Sequence, residues 1–345
     1  MPTTESVPTT ESVAARAAER AGSWTGPLFI IGMPRSGTKL LRGLLEQHPR
    51  VRVPRAETEF FPFLLRWVQR HGRPEQPDAF AKLFDELKRA PYFRWRSAEP
   101  RPFFWREWRE HCDGRHDAAG LFEGFVRYET GAAAHTGLIW GDKSPAYMRH
   151  IGTLLEHFPN ARVVHIVRDV RDHCVSMRNA WHKDIRRAAF RWGRDVGRAH
   201  RICQQHRGRC IELKYEDLLQ APHAHMRRLS DFLQIDFSDA MTRLDRPVER
   251  RGYAAGHAEV VSDNSQKFTE RLTPREIRAV ESLAWDTMRL LGYRPLYADR
   301  QRQLSALEQR VLRVKDGIQL LVHDGRKAGF ASALRFHWQH TRVAD

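Results

Sequence analysis

Cysteine is scarce in this 345-residue chain: there are four, at positions 112, 174, 203 and 210. None forms a C-x-x-C pair or shows zinc-ligand spacing, so a disulfide scaffold and a zinc finger are both excluded. Cys174 falls in a helix pattern and Cys210 opens a strand pattern, as small buried residues do. The set points to a reducing compartment. Long apolar runs are also missing. No stretch reaches the roughly 20 residues a membrane-spanning helix needs, and the N-terminus has no apolar leader core. A soluble, cytoplasmic protein is the expectation. Acidic residues are in deficit, with 42 Asp and Glu against 58 Lys and Arg, a net charge of +16 and a pI near 10.3. Such a balance suits anionic partners: a nucleotide, a nucleic acid, an anionic glycan or an acidic membrane surface. Apolar residues are not scarce. At 41% they can fill the core of one large α/β domain with insertions, or of two small domains.

The two ends differ from the middle. PTTESV at 2–7 is repeated at 8–13, and residues 1–22 read as a disordered polar tail. From 301 to 345 a helical extension is predicted. Leu304, Leu307, Val311, Val314, Ile318 and Leu321 are spaced three, four, three, four, three, which gives one apolar face. A basic, aromatic terminus follows, with Arg326, Lys327, Phe330, Phe336 and Trp338. Such a face serves a homodimer, a membrane surface or the chain's own domain.

Between the ends, strand patterns alternate with helix patterns. Strands are predicted at 28–31, 51–53, 138–140, 162–167 and 210–213, with helices after each. This order argues for an α/β, P-loop-like three-layer domain with a central, mostly parallel sheet flanked by helices. Ligands then bind at the carboxyl ends of the strands. Residues 72–117 form an aromatic and Arg-rich insertion, with Tyr92, Phe93, Trp95, Phe103, Phe104, Trp105 and Trp108 set among arginines. These rings either stack on sugars or bases or cap the core. Residues 246–268 are polar and loop-like, a candidate lid.

The chemistry gathers on Leu28–Leu45, LFIIGMPRSGTKLLRGLL. A short apolar strand runs into Gly32 and Pro34, then Arg35, Ser36, Gly37, Thr38 and Lys39 lead into a helix. Free N–H groups and the helix dipole make that N-terminus an anion cradle. The stretch is close to a Walker A loop but inverts its end. Walker A needs Gly-Lys followed by Ser or Thr, whereas Gly37 is followed by Thr38 and then Lys39. A convincing Walker B Asp is also missing, since Asp169 comes only after Arg168. A charged nucleotide fits such a loop better than Mg-ATP does.

Four motifs taken in order resemble the sulfotransferases that use 3′-phosphoadenosine-5′-phosphosulfate (PAPS). PRSGTK at 34–39 is similar to their PRSGTT loop for the 5′-phosphosulfate. HIVRDVRDHCVS at 165–176 has Arg168 and, eight positions on, Ser176, as in their 3′-phosphate element. KYEDL at 214–218 resembles the YEDL whose Tyr lies near the adenine, here Tyr215. DKSPAY at 142–147 resembles the K-S/T-P-x-Y of heparan-type members, which points to Lys143. AETEFF at 56–61 is similar to the stretch carrying the Glu base in heparan-type and tyrosylprotein members, which picks Glu57, with Glu59 second. The resemblance covers about 27–292 and implies a PAPS donor, no metal, and a hydroxyl acceptor on a glycan, glycolipid, peptide or small metabolite. Nucleic acid is not an expected partner. Arg35, Lys143 and Glu57 would be catalytic. Arg35, Ser36, Gly37, Thr38, Lys39, Arg168, Ser176 and Tyr215 would hold the donor, and Lys267 would approach the nucleotide. Lys39 stands where the family has a second Thr. A P-loop kinase-like enzyme, or a basic anion-binding protein without catalysis, are the competing readings.

Overall fold

In a computed structural model of the chain, residues 24–96, 102–133, 137–249 and 253–328 are described. Five parallel strands form one sheet in the order β2-β3-β1-β4-β5. They are β1 (Leu28–Ile31), β2 (Val51–Arg52), β3 (Ile139–Lys143), β4 (Arg162–Val167) and β5 (Cys210–Lys214). β1 lies in the middle, with Leu28 in register with Gly141 on one side and Arg162 on the other. Strand alternation sends its residues to two cores. Phe29 and Ile31 join one, and Leu28 and Ile30 the other.

The Leu28/Ile30 core is closed by three helices, α1 (Thr38–Leu45), α10 (Tyr215–Gln220) and α11 (Pro222–Leu233). Leu41, Leu44 and Leu45 give α1 a fully buried face. The Phe29/Ile31 core is larger. Among its helices are α2 (Phe61–His71), α3 (Pro77–Leu87), α4 (Pro91–Arg96), α5 (Trp105–His111), α6 (Ala118–Thr130), α7 (Ile151–His157), α8 (Val170–Trp181) and α9 (Ile185–Gln205). After a short helix α12 (Phe268–Arg271), α13 (Pro274–Leu290) packs on α9. α14 (Ala306–Ala328) closes the described chain.

The three-layer α/β reading holds. The aromatic insertion faces inward. Phe80 meets Trp108 edge-on at 4.7 Å, Phe103 stacks on Phe125 at 5.1 Å, and the Trp108 indole N–H donates to the Leu121 carbonyl at 2.9 Å. These rings build the second core, and a base- or sugar-stacking surface is not what they form. Only Phe104 among the large rings at 102–117 is widely exposed.

Several boundaries differ from the sequence reading, and two of them bear on the site. β3 continues to Lys143, carrying Asp142 and Lys143 into the sheet, because Gly141 lets β1 approach closely: a Cβ there would lie 2.5 Å from the Leu28 carbonyl. The helical stretch after β3 begins as a 3₁₀ turn over Pro145–His150 before α7. Of the apolar stripe at the C-terminus, Leu304 is buried, while Leu307, Val311, Val314 and Ile318 are exposed. Leu312 and Asp316 face the body instead. Residues 1–22 and the aromatic terminus beyond 328 lie outside the described residues. All four cysteines are buried free thiols. Among the described residues no helix is long and apolar enough to cross a membrane.

Candidate active site

The loop after β1 is shaped by close approaches. A Cβ on Gly32 would sit 2.4 Å from the Ile166 carbonyl. The Ser36 N–H donates to the Met33 carbonyl at 3.1 Å and closes the turn. Gly37 has φ 91°, and a Cβ there would lie 2.3 Å from the Tyr215 ring. Only glycine fits that place. Arg35 also takes a left-handed backbone, φ 71°, a strained state for a side-chain-bearing residue and one found at functional turns. Past Gly37, the first N–H groups of α1 have no carbonyl one turn behind them. Ser36 is fully buried, and its hydroxyl has no partner among the described residues.

Arg168 lies just past β4, and its guanidinium packs 4.7 Å above the Tyr215 ring. Its Nη1 donates to the Arg35 carbonyl at 3.3 Å and its Nη2 to the Asn264 carbonyl at 3.0 Å. Its buried Nε has no partner among the described residues. The Tyr215 hydroxyl accepts from Asn264 Nδ2 at 2.9 Å. Ser176, eight residues after Arg168 on α8, accepts from Arg35 Nε at 3.2 Å. Asp169 caps α8 by accepting from the Arg171 N–H, which seats Arg168 immediately before the helix. Arg35, Gly37, Arg168, Ser176 and Tyr215 line a single cavity of about 630 Å³, together with Asn264 and Lys267. Lys267 pairs with Asp263 at 3.4 Å and lies over the Tyr253 ring. The pairing of Arg168 with Asp172 that a helix start would favour is not the one formed. Asp172 accepts from the Phe268 N–H instead.

A second cavity, about 400 Å³, opens on the other side of the loop. Thr38, Lys39, Glu57 and Glu59 line it, with apolar walls from Phe60, Tyr147 and Trp181 and a basic edge of Arg149, His150 and Arg191. The two cavities share Arg35, Gly37 and Glu249. Lys143 ends β3 beside Ile30 of β1 and donates to Glu57 Oε1 at 2.5 Å. Its side chain is 1% exposed, so it reaches the second cavity only through Glu57, which is 24% exposed. Glu57 is thus paired with Lys143 and not with its neighbour Arg55. The Thr58 and Tyr147 hydroxyls meet at 2.8 Å, and Tyr147 accepts from the Phe61 N–H, which fixes the segment bearing both glutamates.

The electrostatics follow from burial. Lys39 titrates below the usual lysine range because it is desolvated, an effect that Glu249 opposes. Glu59 is pushed up to about 7 by burial and then by Glu57 and Asp142. Asp142, fully buried, is pushed up to about 6 by burial, against the Ser144 and Thr58 hydroxyls. His150 titrates low through desolvation and nearby arginines. His165 stays outside both cavities, with Nδ1 2.9 Å from Glu212, whose other oxygen lies 2.6 Å from His200. His165, Glu212 and Cys203 form the group of metal-ligand type among the described residues. None of the three lines either cavity.

Sequence reading missed Glu249 and Asn264, both on the polar stretch after α11, and the basic edge of the second cavity. No spacing rule marks them. The 246–268 segment was a candidate lid by composition alone.

A sequence model of the sulfotransferase family matches residues 27–239. Protein-tyrosine sulfotransferase 1 of Danio rerio is 27% identical over 235 residues, which is 65% of this chain and 58% of that protein. A putative protein-tyrosine sulfotransferase of Caenorhabditis briggsae is 23% identical over 223 residues, 62% of this chain and 67% of that one. The chain therefore spans only about three fifths to two thirds of these relatives. Among solved structures, the sulfotransferase domain from the curacin biosynthetic pathway superposes with a TM-score of 0.53 at 18% identity, over 80% of this chain and 100% of that domain. That likeness speaks for the fold. With the family match extending over β1 to β5 and both cavities' principal elements, the chain belongs to the sulfotransferase family.

Proposed function

We propose that the chain transfers a sulfuryl group from PAPS to an acceptor hydroxyl by in-line displacement. The observation that carries this reading is the meeting of two cavities across Arg35 and Gly37, with Arg168, Ser176 and Tyr215 on one side and the Glu57–Lys143 pair on the other. The residues fit the donor. The unpartnered Ser36 hydroxyl and Arg168 Nε are buried polar groups of the kind a ligand satisfies. The surface over Gly37 would be filled by any side chain. Arg168 offers a planar fork of donors to a 3′-phosphate, Ser176 adds a hydroxyl, and Tyr215 presents a ring to the adenine.

Sulfuryl transfer, like phosphoryl transfer, asks the protein mainly to position groups and stabilise charge. Arg35, Thr38, Lys39 and the α1 amides meet the charge that grows on the leaving phosphate oxygen. Glu57 takes the acceptor's proton. Its charge is then neutralised, and the Lys143 ammonium is released from the pair to face the leaving oxygen. The acceptor is a hydroxyl on a glycan, glycolipid, peptide or small metabolite. Since the relatives are named protein-tyrosine sulfotransferases, a tyrosyl peptide is the first acceptor to assay. The 3′-phosphate and the inverted Thr38-Lys39 order separate this reading from Mg-ATP chemistry. Calorimetry with 3′-phosphoadenosine-5′-phosphate (PAP) against ADP, with and without Mg²⁺, tests it. PAP should bind more tightly and without Mg²⁺, and tighter ADP binding overturns the reading. Glu57→Gln should keep PAP affinity and lose transfer by at least about a hundredfold; retained turnover moves the base elsewhere.

A further inference from the structure

The loop cations already have an anion. Glu249 Oε2 accepts from Arg35 Nη1 at 3.0 Å, with both side chains mostly buried at 15% and 13% exposure. Its charge also opposes the desolvation of Lys39. Glu249 lines both cavities and so stands at the point where they join. A phosphosulfate bound by Arg35, Thr38 and Lys39 would bring further negative charge to the same guanidinium. Two anions at one cation in a desolvated site repel each other. That repulsion is relieved if Glu249 turns away from Arg35.

The backbone under Glu249 is pinned. Leu244 is buried, and Leu244 and Val248 cover Gly43 of α1, where a Cβ would lie 2.7 and 3.1 Å from their methyl groups. The Gly256 N–H donates to the Glu249 carbonyl at 3.2 Å. Rotation of the side chain within the open space of the two cavities is therefore enough to vacate Arg35, and no swing of a lid is needed.

Resting on the donor reading above, we propose that Glu249 is an internal anion that competes with the donor: it holds Arg35 and balances Lys39 in the free protein, is displaced when PAPS binds, and returns to Arg35 as PAP leaves. It sets donor affinity and the rate of product release, and it is not a catalytic residue. This role and a role in positioning Arg35 predict opposite signs. If Glu249 merely orients Arg35, its loss weakens donor binding. If it competes, its loss strengthens it.

Calorimetry and stopped-flow dissociation of PAP from the full chain decide between them. Glu249→Gln keeps the side chain's shape and removes the charge, and it should bind PAP roughly tenfold more tightly, the scale of one charge-assisted hydrogen bond, with slower PAP release. Glu249→Asp, which keeps the charge but is one methylene shorter, should fall between wild type and Gln, and it stands in if the Gln variant fails to fold. Equal or weaker PAP binding by the variants overturns the inference while leaving the donor reading intact. Failure of the wild type to bind PAP overturns both.

Discussion

Glu59 sits on a left-handed backbone, φ 54°, beside Glu57 and Asp142, and it lines the second cavity. Its carboxyl, ordinarily near 4.5, is raised to about 7, first by burial and then by its two acidic neighbours. A group whose folded value is raised binds more protons in the folded state than in the unfolded one. Between about pH 4.5 and 7, therefore, stability falls as pH rises. The sign is opposite to that of a salt-bridged carboxylate. Glutamine mimics the protonated form, so Glu59→Gln should remove much of that fall, on the order of 2 kcal/mol across the window. Melting temperatures from pH 5 to 8 check this. The two curves should converge at pH 5 and separate by pH 8, with the variant higher; parallel curves refute it. Asp142, raised to about 6, leaves a smaller fall below pH 6 in both proteins.

At the level of single elements, the cavity lined by Arg168 and Ser176 depends on how α8 is held. Arg171, mostly buried, bonds both oxygens of Asp169, at 3.0 and 2.6 Å, and Glu281 at 2.9 Å. Glu281 on α13 is fully buried and also accepts the N–H groups of Leu296, Tyr297 and Ala298. Arg171→Met would leave two buried carboxylates short of their cation, which costs about 3–5 kcal/mol. Asp169 caps α8 directly after Arg168, so PAP affinity should fall as well, though by less than in Arg168→Ala. Thermal melts and calorimetry on the two variants give the comparison; unchanged stability in Arg171→Met refutes the account. The same element shows what sequence can carry. Arg168 and Ser176 were legible because the strand-to-helix junction and a fixed offset within one helix are local. The β1–loop–α1 cradle was legible because an apolar run met Gly, Pro and cations in order. Lys143 was legible only through a motif, since strand alternation gives no sign that Asp142 and Lys143 extend β3 as buried charges. Glu249 and Asn264 were not legible at all. They meet Arg35 and Arg168 from 214 and 96 residues away, and the polar stretch that bears them has no periodicity to read. The rings at 80–108 were ambiguous for the opposite reason: aromatics alternating with arginines look alike whether the rings face a ligand or a core.

Across the whole molecule, the described chain divides into a sheet domain that carries the site and a C-terminal helix that lies against α9. α14 is held by few contacts. Leu304 and Leu312 are buried, and Asp316, also buried, accepts from the Asp184 N–H at 2.9 Å and pairs with Arg187 at 2.6 Å. Lys183 donates to the Asp316 carbonyl, and Lys315 pairs with Asp184. These partners lie at the start of α9, away from β1, β3 and β4, whose ends build the cavities. Asp316→Ala would leave the Asp184 N–H and Arg187 without the carboxylate they share, a loss of roughly 2–4 kcal/mol. Because the junction is peripheral, that loss should appear as detachment of α14 before the sheet unfolds, not as loss of the site. Trypsin should then cut after Arg310, Arg313 or Lys315 at least about tenfold faster than in wild type, since local opening exposes such a segment in proportion to its stability. PAP affinity should stay within about twofold, because Asp184, Arg187 and Asp316 line neither cavity. A matched loss of PAP affinity would mean that α14 supports the site, and that the helix and the sheet form one cooperative unit.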